Sequence, residues 1–243
     1  MAASTDLLEN AFTSQKHGFT WENELRSKVW DLPTSKNDTN THDIPHHLNK
    51  FDGNENVSIK TMGKDSLDCG DIIRFYGYDF SKQNTLLVIR YNQLDTQKQI
   101  TEILELDYNA EMHGLLFGTI TLSELMDYVK MIKILPRGKV SADLCQQYKL
   151  RKNELQRLHN MWIHISPKVD SKTQRRVQCS IPKIDEFIAK YPQFVKYRSP
   201  SEMPSLVRGI QIVDTIASGR RVRLTAQQKM EQITAAAVAS ITL

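Results

Sequence analysis

Asp43, the triplet Ser58-Ile59-Lys60 and Glu22 are the residues whose types and spacing could do chemistry together. Carboxylate oxygens hold a hard divalent cation, and such a cation beside a phosphate neutralises the charge that develops as water attacks phosphorus. A lysine ammonium adds to that stabilisation from the attacking water or the phosphate itself. Ser58 and Lys60 share one face of a strand, because alternate residues project the same way. Asp43 falls at a loop-to-strand transition, where a side chain can leave the sheet at its edge. If that segment pairs with the strand at 58–60, carboxylate and ammonium converge. Glu22, on an upstream helix, could complete the metal shell or orient a water. Glu24 lies on the same helix, but the position directly after Trp21 favours Glu22. The chemistry spelled by this set is Mg²⁺-assisted hydrolysis of a phosphodiester.

The elements that must position these side chains read as follows. Phe19, Trp21, Leu25, Val29 and Trp30 recur at helical spacing. Residues 33–56 are rich in Asn, Asp, Thr, Pro and Gly and read as loop, with one short extended piece at Asp43-Ile44. Asn56 to Thr61 alternates apolar and polar as a strand does. Ile72 to Tyr76 is compatible with a short strand or a helix. Thr85 to Tyr91 is apolar enough for a central strand, and Ile100 to Tyr108 forms a further one. Leu122, Leu125, Met126, Val129 and Ile132 predict a helix over 121–134. A helix, then strands, then a helix specifies an α/β core built on a mixed sheet. After Pro136-Arg137-Gly138 the texture changes. A helix is expected from Ala142 to Met161, a strand at Trp162–Ile165, a basic loop at 169–176 and a strand at Val177–Ile181. Pro182–Tyr197 should hold a helix, and the last forty residues a final helix or two. A soft boundary near 136 would separate a nuclease core (1–136) from a basic α+β half (137–243) packed on it, if the chain is not one domain.

Charge follows this division. The chain carries a net +4, but Lys149 to Glu231 holds seventeen Lys and Arg against seven Asp and Glu. An acidic part able to hold metal, joined to a strongly basic part, suits a polyanionic partner. A solvated basic face with no ligand has the same composition. No apolar run approaches the length of a membrane-spanning helix, and Met1 to Asp6 lacks a basic segment followed by an apolar block, so neither a membrane anchor nor a secretory signal is expected. The three cysteines, Cys69, Cys145 and Cys179, are odd in number and widely spaced. They fit neither a disulfide framework nor a C-x-x-C site and suit a reducing compartment, so a soluble intracellular protein is expected. His42, His46 and His47 flank Asp43, but no Cys/His cluster has structural-zinc spacing. No phosphate-cradling glycine loop is present, so no nucleotide cofactor is expected. No Ser or Cys sits in a nucleophile-elbow context.

Several segments together resemble a known family. Lys16 to Glu22, Asn37-Asp38-Thr39, His42-Asp43-Ile44-Pro45 and Asn56 to Thr61 look like type II restriction endonucleases of the PD-(D/E)XK nuclease superfamily, in particular those of large double-stranded DNA viruses. The likeness continues through Asp68 to Tyr76, Pro167 to Ser171 and Arg176 to Ile181. It implies a restriction-endonuclease-like mixed central sheet flanked by helices, Mg²⁺, double-stranded DNA as substrate, and a homodimer cutting a short palindrome. Position by position, Asp43 becomes the metal-binding acid, Lys60 the catalytic lysine and Glu22 the helix acid. The usual second acid, two residues before the lysine, is here Ser58. Glu22, Glu55 or Asp71 would then have to supply the missing negative ligand.

Sequence reading by such an enzyme would come from the basic half. Lys168, Lys172, Gln174, Arg175, Arg176 and Gln178 lie in and beside one inter-strand loop. Arg can donate to guanine and Gln can pair with adenine in the major groove, while other cations bind phosphates. Arg220, Arg221 and Arg223 are further phosphate-contact candidates. Two rivals fit the same residues: a non-catalytic DNA-binding or nucleoprotein-coating protein, and a structure-specific nuclease acting on branched DNA.

Overall fold

Apolar β-rich runs set the architecture. In the computed structural model, which describes residues 16–34, 41–169 and 174–217, Leu86, Leu87, Val88 and Ile89 are fully buried in the middle of the strand β3 (Gln83–Leu94). β3 returns through a two-residue turn as β4 (Gln97–Asp107), antiparallel to it. On its other side β3 pairs in parallel with β1 (Glu55–Met62), Glu55 opposite Gln83 and Met62 opposite Arg90. Beyond β4 lie two short strands, β7 (Val195–Arg198) and β10 (Thr215–Ala217), both antiparallel to it. The result is a mixed sheet with helices against it, a mixed α/β architecture.

A second, antiparallel sheet has the order β2 (Ser66–Asp71), β6 (Arg176–Pro182) and β5 (His164–Lys168). A hairpin of β8 (Leu206–Val207) and β9 (Ile210–Gln211) turns through Arg208 and Gly209, both at positive φ. The helices are α1 (Lys16–Glu24), continued by a π-helical turn over Leu25–Val29, α2 (Ile72–Tyr76), α3 (Ala110–Phe117), α4 (Leu122–Lys133), α5 (Ala142–Leu158) and α6 (Ile184–Lys190).

The main sheet is a middle layer with a core on each face. Val57, Ile59, Leu87, Ile89 and Ile103 pack beneath Trp21, Leu25, Val29 and Trp30, and against Val207 and Ile212. The opposite face, with Met62, Leu86, Val88, Leu104 and Leu106, meets the second sheet and the helices α2 to α6. This seats α1 firmly, since each fully buried large apolar side chain contributes about 1.5–3 kcal/mol. Strands from beyond residue 136 pair with strands before it, β6 with β2 and β7 and β10 with β4, so the two halves of the chain share both sheets.

The structure decides one reading left open by the sequence and departs from others. Ile72–Tyr76 is a helix because Asp71 caps it, accepting from the N–H groups of Ile73 and Arg74. The strand expected at Trp162–Ile165 runs instead from His164 to Lys168, because Trp162 turns to donate its indole N–H to Pro182. The helix expected over Pro182–Tyr197 ends at Lys190; Pro192 opens a 3₁₀ turn and β7 follows. Residues 200–217 form turns and short strands rather than helix, and 218–243 lie outside the described residues. Among the described residues, no helix is long and apolar enough to cross a membrane.

Candidate functional site

β1 lies at the edge of the main sheet, and a single antiparallel bridge covers its free side. Ile44 donates to the Val57 carbonyl at 2.9 Å and accepts from the Val57 N–H at 2.8 Å. The bridge carries Asp43 alongside Ile59, whose outward N–H donates to Asp43 Oδ2 at 2.6 Å. Arg26, buried in the π-helical turn, donates its guanidinium to the Asp43 and Pro33 carbonyls and ties this loop to α1. Lys60 Nζ stands 3.9 Å from Asp43 Oδ2, an ion contact longer than a hydrogen bond. Burial pulls the Lys60 ammonium towards neutrality, but Asp43, with Tyr78, Cys69 and Glu22, holds its pKa above the ordinary value. Lys60 is therefore held as a cation at neutral pH.

Glu22 thus contributes to the field at Lys60, from a helix anchored by Trp21, which is fully buried and donates to the Val213 carbonyl at 3.1 Å. Glu24 is engaged elsewhere, with Lys28 at 2.6 Å. Of the three charged residues singled out from sequence, Asp43 and Lys60 meet at the sheet edge, and the Glu22 charge acts on Lys60.

Ser58 is on the same strand face as Lys60, but its hydroxyl is taken. Its Oγ lies 2.9 Å from the Tyr78 hydroxyl and 3.1 Å from His42 Nδ1. The His42 and Tyr78 rings meet edge to face at 4.4 Å. Burial, helped by Lys60 and His46 and opposed by Asp43, lowers the His42 pKa to about 4, so the imidazole is neutral at pH 7. Tyr78 and His42 are the residues that sequence reasoning did not place here. The only signal for His42 was its position next to Asp43, and Tyr78 had none. A cavity of about 350 Å³ opens beside His42, with His46, His47, Asn56 and Lys82 in its walls.

Glu55 is not brought to this group. It projects from the other face of β1 and is 3% exposed. Its carboxylate takes both Arg208 nitrogens, at 2.8 and 3.0 Å, Lys196 at 2.9 Å and Asn49 at 2.9 Å. Arg208 also reaches Glu105 at 3.1 Å and lies over the Trp30 ring. Burial alone would raise the Glu55 pKa, but hydrogen bonds from Arg208, Thr85 and Lys196 hold it at about 2. Glu55 is thus the anionic centre of a buried ion-pair cluster. Asp71, the other acid considered, caps α2.

The basic residues divide in the same way. Lys168 and Arg176 are exposed and face each other across β5 and β6; Gln178 sits one step inward, opposite Ser166. Gln174 is exposed. Arg175 is turned inward, its guanidinium donating to the carbonyls of Leu135, Pro136 and Gly138. Lys172 and the arginines at 220, 221 and 223 lie outside the described residues.

Among the described residues, no three His, Cys, Asp or Glu side chains are grouped so that they could hold a metal between them. Asp43 and Glu22 can supply two carboxylates at most. Mg²⁺ accepts that arrangement, since it keeps several waters and completes its shell with one or two carboxylates and substrate phosphate oxygens. No family model, curated protein or solved structure matches this chain.

Proposed function

We propose that this chain is a Mg²⁺-dependent endonuclease that hydrolyses double-stranded DNA, built on a restriction-endonuclease-like core and acting as a homodimer at a short palindromic site. The observation that carries the reading is the meeting of Asp43 and Lys60 across the edge of β1, with the Glu22 charge acting on the same ammonium. Asp43 and Glu22 would hold the cation, which supplies Lewis-acid polarisation of the phosphate and a lowered pKa for bound water. Asp43 Oδ2 already accepts from the Ile59 N–H, which holds the carboxylate against the edge of β1. Lys60, charged at neutral pH, would stabilise negative charge on the phosphate oxygens as the bond to water forms. The buried seat of Trp21 would fix where Glu22 stands.

One observation favours a second reading. Two residues before Lys60, β1 carries a hydroxyl, Ser58, locked between Tyr78 and His42, so this face of β1 adds no further anion beside Lys60. A duplex-binding protein without catalysis would have no need of one. Incubation with plasmid DNA and Mg²⁺ separates the two. The nuclease reading expects discrete fragments from the native chain and intact plasmid from Lys60→Ala and Glu22→Gln, each retaining duplex affinity. A retarded but uncut plasmid with the native chain would refute it. Cutting confined to branched DNA would replace a site-specific enzyme with a structure-specific one.

A further inference from the structure

Among the described residues, the second sheet presents an outer face that is exposed at His164, Lys168 and Arg176 and half-buried between them. Along β6, Val177, Cys179 and Ile181 point into the core, so Arg176, Gln178 and Ser180 point out. Along β5, Ile165 points in, and His164, Ser166 and Lys168 point out. Lys168 and Arg176 are register partners. Like charges directly opposite one another on an antiparallel pair oppose folding. From α5, Lys152 adds a third cation, its Nζ 3.4 Å from His164 Nε2. The His164 pKa is lowered, by burial first and then by Lys152 and Lys168, so the field of both lysines converges on one ring. Several cations elsewhere in the described residues are matched to carboxylates. Arg90 and Arg198 share Glu102, Arg208 sits between Glu55 and Glu105, and Lys196 binds Glu55. Among the described residues, Lys152, Lys168 and Arg176 have no such carboxylate partner. The acids of this sheet, Asp68 and Asp71, stand on β2, on the far side of β6 from β5. They are occupied by backbone N–H groups of Gly70, Ile73 and Arg74.

We propose that this face, formed by Lys168, Arg176 and Gln178 and extended by Lys152, docks the phosphate backbone of duplex DNA. Three unmatched cations held close together at a cost to folding call for a partner with closely spaced anionic charge, and a duplex carries one charge per about 1.7 Å of its axis. The inference rests on the nuclease reading only for the identity of the polyanion. Gln178, at the centre of the face between Ser166 and Asp71 in register, is placed where a polar side chain would touch the duplex beside the charged row.

The test measures anisotropy of a fluorescently labelled duplex with the full chain in chelator, so that no cleavage occurs. The combined variant Lys152→Glu, Lys168→Glu and Arg176→Glu is compared with Lys130→Glu. That control lies on α4, which packs against the inner side of the same core. Each phosphate contact contributes about 0.9 to the slope of log affinity against log salt, so the triple variant should flatten that slope by about 2 to 3. Its affinity should fall at least tenfold at about 0.1 M salt, while Lys130→Glu changes neither quantity. Should the charge reversal fail to fold, the corresponding Gln variants are used. Lys168→Gln should melt no lower than the native chain, because it relieves the opposed pair. A folded triple variant with unchanged slope and affinity overturns the proposal. So does a native chain that ignores duplex DNA, or one that binds polyglutamate equally well. Duplex binding lost in the triple variant by a native chain that never cuts would end the nuclease reading and leave the docking face standing.

Discussion

Asp43→Asn separates what Asp43 does for the fold from what it would do for chemistry. The carboxylate has two partners: the Ile59 N–H at 2.6 Å and the Lys60 ammonium at 3.9 Å. An asparagine keeps an acceptor for Ile59, so the edge of β1 remains satisfied, but the hydrogen bond changes from charge-assisted to neutral. That costs about 1 kcal/mol. The ion contact is worth about 4 kcal/mol at an effective dielectric of about 20, but both side chains are about a quarter exposed, so solvent and desolvation leave roughly 1 kcal/mol net. The sum, about 2 kcal/mol, is well inside the roughly 5–15 kcal/mol of a folded domain. The variant should therefore fold, with Tm lower by a few degrees. Its catalytic loss should be far larger. Removing one of two anionic ligands from the cation, several kcal/mol of transition-state stabilisation, corresponds to a rate at least about a thousandfold lower. The assay pairs a thermal melt with plasmid cleavage in Mg²⁺. Asp43→Ala provides the contrast, since it also strips Ile59 of its acceptor and should melt lower still. A folded Asp43→Asn that cuts at the native rate refutes the metal role, and collapse of its melt shows that Asp43 serves chiefly to close the sheet edge.

Two other perturbations follow from the same geometry. The Glu55 pKa of about 2 lies below the ordinary value of 4.5, so its contribution is complete above pH 4.5 and disappears as pH falls from about 4.5 towards about 2. At about 1.4 kcal/mol per unit the span is about 3 kcal/mol, and Glu55→Gln should lower the urea midpoint at pH 7 while flattening the fall below pH 4.5; an unchanged acid arm would contradict the cluster. Arg175→Ala removes the donor that holds the carbonyls of Leu135, Pro136 and Gly138, so it should lower Tm yet leave the salt slope of duplex binding unaltered. A flattened slope with unchanged Tm would return Arg175 to the docking face.

What could be read from the sequence is what local pattern determines. The run Leu86-Leu87-Val88-Ile89 has no polar interruption, so a buried central strand followed, and the helix over 121–134 starts where Thr121 and Glu124 form a reciprocal cap. The helix through Trp21, Leu25 and Val29 was legible because its apolar residues recur on one face. β2 was not, since Asp68 and Gly70 interrupt its two inward side chains and a bulge shifts its register. α3 is short and begins at Asn109, whose capping hydrogen bond to Met112 carries little signal in an otherwise apolar stretch. The parallel pairing of β1 with β3 and the whole second sheet depend on contacts between distant segments, which periodicity does not encode.

The same distinction runs through the site. Asp43 and Lys60 could be brought together on paper because they are close in sequence and belong to one strand edge. Glu55 could not be assigned without its partners, Lys196 and Arg208, which are 141 and 153 residues away. Those partners, not its distance from Lys60 in sequence, determine which face its charge serves. Ser58 shows why the position two residues before the lysine is uncharged. It is 1% exposed and packed against Tyr78, and a carboxylate there would lose its hydration beside a phenol with no spare cation, Lys60 being already balanced by Asp43. On the proposed reading, the burden of negative charge would move to Glu22, which belongs to a different element. The strength of any cation site at this edge is therefore set by how rigidly Trp21 and Arg26 hold α1 against β1. On that reading, packing in the core beneath the sheet would determine chemistry at its rim.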